Sequence, residues 1–251
     1  MNEPIRVFIG FDSNEVVAYN VLAHSIQAQS SRPVAITPVR LSQLTDCFAR
    51  PPHALASTEF SFSRFLVPYL CGYRGWAVFM DCDMLCRRDI LHLWQQRNDD
   101  YAVQVVKHEH KPTNTKKFND NVQTRYEKKN WSSVMLMNCA RCTTLSLDYV
   151  NHATGLELHQ FKWLAGDHLI GEISHDWNHL VGYDLYDSDA SLAHFTEGGP
   201  YFSSYRNCDY AAEWFRAYAT MTSVIEKNGS VQIPKIPSQE TRYDRYSNPL
   251  S

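Results

Sequence analysis

The chain has 251 residues with 24 basic and 27 acidic side chains, a formal net charge of −3. That length suits one domain with a substantial core, and the balanced charge excludes an overall field that would draw the protein to nucleic acid or an anionic membrane. The start of the sequence lacks a charged-then-apolar leader, and no unbroken apolar run approaches the roughly 20 residues that span a bilayer. The expectation is a cytoplasmic protein without a transmembrane segment, with peripheral attachment to a membrane left open.

Arg6-Val-Phe-Ile-Gly10 predicts a short buried strand, and Phe11-Asp12-Ser13-Asn14 a turn able to cap a helix. The helix is expected over residues 15–29, with Val16, Tyr19, Asn20, Ala23 and Ile26 near one stripe. Residues 34–39 read as a second strand, whose internal Pro38 points to an irregular or edge position. The opening unit is therefore β-α-β. Residues 45–58, with Pro51 and Pro52, read as loop. Residues 60–70 read as a helix that packs Phe62, Phe65, Leu66 and Tyr69, carries Arg64, and is kinked or ended by Pro68. Gly72 and Gly75 then break the pattern.

Trp76-Ala-Val-Phe-Met-Asp81-Cys82-Asp83 is the most informative segment. In a strand, carboxylates at alternate positions project from one face. Two hard oxygen donors at a strand's carboxyl end suit Mg²⁺ or Mn²⁺ shared with the phosphates of a ligand. A solvated loop is the plain alternative, but carboxylates at the exit of a buried strand are costly unless paired or coordinated. A zinc site from Cys82, Cys86, Cys139 and Cys142 would have to bridge a long separation, and Cys82 would face away from the flanking carboxylates. The seven cysteines, odd in number and irregularly spaced, fit reduced core thiols better than a disulfide framework.

Asp89 opens a helix that reaches Trp94, and residues 101–106 form a strand. Residues 107–129 hold seven Lys or Arg against three acidic residues. This basic stretch is expected to be a loop, either a solvated excursion or a cover over an anionic ligand. Residues 132–138 return to strand and 143–152 to helix; a last helix follows Tyr210 and ends near Lys227, before a polar tail from residue 234.

Taken in order, these motifs resemble the family 8 glycosyltransferases, enzymes of the GT-A fold that transfer a sugar from a nucleotide-sugar donor. The similarity spans roughly residues 5–202. The resemblance implies an α/β fold: a GT-A-like domain over residues 1–233, with a mixed, largely parallel central sheet flanked by helices, and a tail over 234–251. It places Gly10, Asp12 and Asn14 against the nucleobase and Arg64 against the donor. Asp81, Asp83 and His194 would hold Mn²⁺ or Mg²⁺, with His194 taken from His194-Phe195-Thr-Glu-Gly198-Gly199-Pro200. Gly198 and Gly199 would form the phosphate turn. Here the sequence departs from the family, because no lysine follows the glycines in Gly198-Gly-Pro-Tyr-Phe202. The diphosphate would rely instead on backbone N–H groups, the cation, Arg64 or a lysine of the basic stretch.

Asp167, in Ala165-Gly-Asp-His-Leu-Ile170 ahead of an expected helix, would lie beneath the donor sugar, with Gly166 or His168 as alternatives by one step of register. The implied reaction moves a hexose, UDP-hexose being the first expectation, to a saccharide or other hydroxyl acceptor with retention of anomeric configuration. Read from the residues alone, Asp12 and Asp167 could be helix caps, and Arg64 a surface or ion-paired arginine. Two rival functions stand beside the transferase. A haloacid-dehalogenase-like phosphatase also uses Asp-x-Asp, and Gly166-Asp167 could mimic its later acid, but it expects the motif near the start of its catalytic domain. A non-catalytic nucleotide-sugar-binding protein would explain the missing lysine.

Overall fold

The computed structural model describes residues 3–51, 58–109, 127–225 and 231–232. In chain order the strands of the two main sheets are β1 (Ile5–Gly10), β2 (Val34–Val39), β3 (Trp76–Met80), β4 (Met84–Cys86), β5 (Val103–Val105), β6 (Val134–Asn138), β7 (Ile170–Glu172), β8 (His179–Leu180) and β9 (Leu192–His194). The central sheet is ordered β2-β1-β3-β6-β5-β7. Five of its strands run one way, and β6 alone is antiparallel to both neighbours. The sheet is thus mixed and largely parallel, as expected. β2 lies at its edge with Pro38 opposite Ile9, where a residue without an N–H is tolerated.

The small sheet is ordered β4-β9-β8, with β4 antiparallel and β8 parallel to β9. The chain passes from the central sheet to the small one through Asp81, Cys82 and Asp83. The acidic pair therefore sits at the seam between two sheets, each with its own packing.

Helix α1 (Val16–Gln29) makes the crossover from β1 to β2. Its buried set is Ala18, Val21, Leu22, Ser25 and Ile26, whereas Val16 is 43% exposed. The expected stripe is rotated because α1 packs on two sides. Leu22 and Ile26 join the main core, while Val21 joins a smaller core with Leu85, Ala193, Phe195 and Trp214. Ser25 ties α1 to the small sheet: its hydroxyl donates to Leu22 O at 2.9 Å and accepts from Cys86 N at 3.1 Å.

The segment 60–70 is not one helix. A single 3₁₀ turn, Ser63–Leu66, runs into the short α2 (Val67–Leu70), and Pro68 starts that helix rather than ending it, since the first turn needs no N–H at that position. Asp89 caps α3 (Ile90–Trp94), accepting from Leu91 N at 3.0 Å. Helix α4 (Leu147–His152) begins later than residue 143 because Ser146 caps it. The unforeseen α5 (Gly155–His159) carries a Thr154/Glu157 capping box. Helix α6 (Ala211–Thr222) stops short of Lys227, and the chain turns into β10 (Val224–Ile225), paired with β11 (Val231–Gln232).

The helix expected after Asp167 is a 3₁₀ turn, Asp167–Leu169, that feeds β7. Residues 52–57 of the expected loop, 110–126 of the basic stretch, Lys227 and the tail lie outside the described residues. All seven cysteines are free thiols, and Cys82, Cys86, Cys139 and Cys142 are buried. No helix among the described residues is long and apolar enough to cross a membrane.

Candidate functional site

Two backbone ladders bring the acidic pair and the distant histidine together. Asp81 N donates to Ser133 O at 2.9 Å, extending the β3–β6 pairing one step past the strand. Asp83 O accepts from Phe195 N at 2.8 Å, and Met84 pairs with His194 in the β4–β9 register. Cys82, between the carboxylates, points into the main core. One ligand atom each from Asp81, Asp83 and His194 lie within 4.8 Å of one another. Two carboxylates and an imidazole form a mixed oxygen and nitrogen donor set that fits a divalent cation such as Mn²⁺.

His194 is held in a fixed orientation. Asn178 Nδ2 donates to Asn130 O at 3.2 Å, which turns Asn178 Oδ1 toward His194 Nδ1 at 2.8 Å. An amide oxygen only accepts, so Nδ1 carries a hydrogen and Nε2 is the nitrogen that faces the carboxylates. Nε2 lies 3.5 Å from Asp83 Oδ1. Asn178 is fully buried and has no signature in the sequence.

Arg64 is buried, with its guanidinium 2.7 Å from Asp81 Oδ1 and donating to Ser132 O at 3.0 Å. The guanidinium carbon lies 5.1 Å from the ring centroids of both Phe60 and Phe79. The arginine expected to meet the donor is thus first of all the counter-charge of Asp81, the ion-paired alternative.

Gly10, Asp12 and Asn14 gather at the end of β1. A Cβ at Gly10 would meet the Phe60 ring at 2.4 Å, so the glycine is required by packing. Asp12 does not cap α1 with its side chain; the helix begins after Glu15, which makes no side-chain cap bond. The Asp12 carboxylate instead accepts from Asn14 N at 2.9 Å, Asn14 Nδ2 at 3.0 Å and Glu59 N at 3.1 Å. It orders the turn and ties it to the segment before Phe60.

Glu15 was not anticipated as a site residue. Burial, reinforced by the charges of Asp83, Asp12 and Asp81, pushes its carboxyl up to about 8, although the Tyr201 hydroxyl donates to it at 2.5 Å. Four carboxylates therefore crowd this seam, a concentration of charge that a cation relieves. Tyr201 belongs to the glycine turn. A Cβ at Gly199 would lie 2.2 Å from the Tyr201 ring, and Gly198, at φ +143°, would meet Tyr205 at 2.6 Å. Gly199 thus leaves room for the Tyr201 ring that reaches Glu15, and Gly198 leaves room for Tyr205.

Asp167 is 72% exposed and does not cap the turn it opens. Lys128 Nζ lies 2.5 Å from its carboxylate and also donates to Gln160 O at 3.1 Å. That ammonium, helped by Lys162 and Lys107, holds the Asp167 carboxyl below the usual carboxylate range. Gly166 and His168 are its immediate neighbours, and His168 Nδ1 lies 2.8 Å from where a Gly166 Cβ would stand. Lys128 leads within two residues to Asn130, the acceptor of Asn178. Asp167 is thereby linked through Lys128 and the backbone to the Asn130–Asn178–His194 chain of hydrogen bonds.

No protein-family model matches the chain. Protein CDI of Arabidopsis thaliana is 44% identical over 221 residues, covering 84% of this chain and 85% of that protein. Among solved structures, the apo WbbM bifunctional glycosyltransferase superposes with a TM-score of 0.60 at 14% identity over 87% of this chain. GlyE from Streptococcus pneumoniae TIGR4 gives 0.57 at 11% identity over 86%. The galactosyltransferase LgtC, in complex with donor and acceptor sugar analogues, gives 0.57 at 12% identity over 88%. The chain spans 50% of the WbbM chain and 60% of the GlyE chain, but 98% of LgtC. The chain shares the GT-A fold of these structures.

Proposed function

The chain belongs to the same family as Protein CDI of Arabidopsis thaliana, and from that starting point we propose that it is a metal-dependent glycosyltransferase of the family 8 type. It moves a hexose from a nucleoside-diphosphate sugar, UDP-hexose first, to a saccharide or other hydroxyl acceptor. The observation that carries this reading is the convergence of Asp81, Asp83 and His194 at the seam between the two sheets of a GT-A fold.

Cleaving the bond between an anomeric carbon and a diphosphate builds negative charge on the leaving group and positive charge on the sugar. Asp81, Asp83 and His194 would hold a Mn²⁺ or Mg²⁺ ion, which would supply Lewis-acid stabilisation of the first charge, worth several kcal/mol in such sites. Asn178 fixes the tautomer of His194, and Arg64 balances Asp81 until the cation and the donor are bound. The turn carrying Gly10, Asp12 and Asn14 receives the nucleobase, and the Gly198-Gly199 turn brings backbone N–H groups to the phosphates. Asp167 faces the second charge, supporting the positive sugar while configuration is retained. Lys128, the described lysine bonded to Asp167, lies in the basic stretch, one of the four sources of diphosphate contacts weighed in place of the family's lysine.

The absence of a lysine after Gly199 favours one second reading, a protein that binds nucleotide sugars without turning them over. Nucleotide release from a panel of nucleotide hexoses, with and without Mn²⁺ and candidate acceptors, separates the two. Mn²⁺-dependent release from one donor supports the transferase. Donor binding with no release from any of them supports the binder. Phosphatase turnover through a phosphorylated Asp81 contradicts both.

A further inference from the structure

The segment that positions His194 carries a second constellation. His175 opens the single turn His175–Asn178, and Asp184 lies in the turn after β8. His108 follows β5; its N–H donates to Val106 O at 3.1 Å and its carbonyl accepts from Trp131 Nε1 at 3.1 Å. The two imidazole rings meet edge to face, 5.1 Å between centroids. Asp184 is anchored from both ends of the residue: its N–H donates to Leu180 O at 2.9 Å, and its Oδ2 accepts from Leu180 N at 2.7 Å. That same oxygen lies 3.5 Å from His175 Nε2, too far for a strong direct hydrogen bond. One ligand atom from each of His108, His175 and Asp184 falls within 4.8 Å of the others.

We propose that His108, His175 and Asp184 form a second metal site, for a nitrogen-preferring transition ion of the Zn²⁺ class. The donor set is the reason. Two imidazoles and one carboxylate match the three protein ligands of zinc sites that keep an open fourth position, whereas the oxygen-rich Asp81, Asp83 and His194 set suits Mn²⁺ or Mg²⁺. Ligands about 2.1 Å from an ion lie a little over 3 Å apart, so a modest closure completes the cage. His175, with its side chain 57% exposed, is placed to supply that movement, while His108 is buried and Asp184 is anchored. A surface His–Asp ion pair would account for His175 and Asp184, but not for the second ring nitrogen turned toward the same point. The ion would clamp the end of β5 to residues 175–184, the stretch that includes Asn178 and β8. It would therefore steady His194 without touching the donor.

The test uses metal-stripped full-length protein and Co²⁺ as a spectroscopic probe for a Zn²⁺ site, with no nucleotide present, so its outcome is independent of the transferase reading. The wild type should develop visible d–d absorption that saturates at one equivalent and is displaced by Zn²⁺. Asp83→Ala should keep that band. His175→Ala and Asp184→Asn should lose it, while the His175→Ala apo-protein keeps its circular dichroism and thermal midpoint. Absence of the band in the wild type, its survival in both variants, or its loss in Asp83→Ala would overturn the proposal.

Discussion

Arg64 and Asp81 face each other at 2.7 Å with little access to solvent, so one carboxylate of the candidate cation site already has a positive partner. Removing one member of a buried ion pair leaves the other charge uncompensated, a loss of about 3–5 kcal/mol. Arg64→Ala should therefore lower stability to urea by about 3 kcal/mol. Mn²⁺ should stabilise this variant more than the wild type, because the ion replaces the missing charge. Urea titrations with and without Mn²⁺ check both statements.

Asn178 contacts His194, one of the three residues proposed to hold the cation. Outer-shell partners of this kind typically change metal affinity by about 10- to 100-fold. Asn178→Ala should weaken Mn²⁺ binding by that factor, read as free Mn²⁺ by electron paramagnetic resonance. Asn178→Asp should restore part of the loss, because a carboxylate still accepts from Nδ1.

The Asp167–Lys128 pair lies largely at the surface on the aspartate side, so its loss should alter stability by less than about 1 kcal/mol. Under the proposed mechanism Asp167→Asn should nevertheless cut kcat for nucleotide-sugar cleavage by about 100-fold or more. KM for the donor should change little. Steady-state nucleotide release, set beside the urea midpoint, separates this outcome from a folding defect.

His159 gives the fold a definite acid limb. Its ring packs against Phe65 at 5.2 Å, and Nδ1 lies 2.7 Å from Ser132 Oγ. Burial, with the nearby Arg64 charge, pushes its pKa down from 6.5 to about 3. The folded value is below the unfolded one, so between them the unfolded chain takes up a proton that the folded chain refuses. The contribution is complete above about pH 6.5 and is lost as pH falls toward 3, at up to about 1.4 kcal/mol per pH unit. His159→Gln should show a shallower fall in urea stability between those limits than the wild type does.

The sequence made the central sheet readable wherever apolar runs ended in turn residues. Arg6 to Gly10 falls on β1, Trp76 to Met80 is β3, and Val134 to Asn138 is β6, although Asp81 to Asp83 leave the strand and residues 132–133 belong to the 3₁₀ turn before β6. The parts that were not readable depend on long-range packing. The buried face of α1 is set by β4 and α6, which touch it from another side than the main core. The Asp-x-Asp motif and the His-aromatic-glycine motif were visible as residue types at a spacing, and the β4–β9 register brings them together. Glu15 looked like an ordinary residue at a helix start, and only the approach of Asp83 and Tyr201 makes it unusual. Asn178 and Lys128 each make one hydrogen bond to a distant side chain and one to distant backbone, which leaves no periodicity to detect. Thr154-Gly-Leu-Glu157 did carry a readable helix-start signal, and it marks α5.

Calorimetric titration of UDP into wild type and Asp83→Ala, each with and without Mn²⁺, bears most directly on the cation-held diphosphate. The wild type should bind UDP tightly only with Mn²⁺, and Asp83→Ala should bind it equally weakly in both conditions while keeping its fold. Mn²⁺-enhanced binding that persists in Asp83→Ala would contradict the assignment of the cation to Asp81, Asp83 and His194.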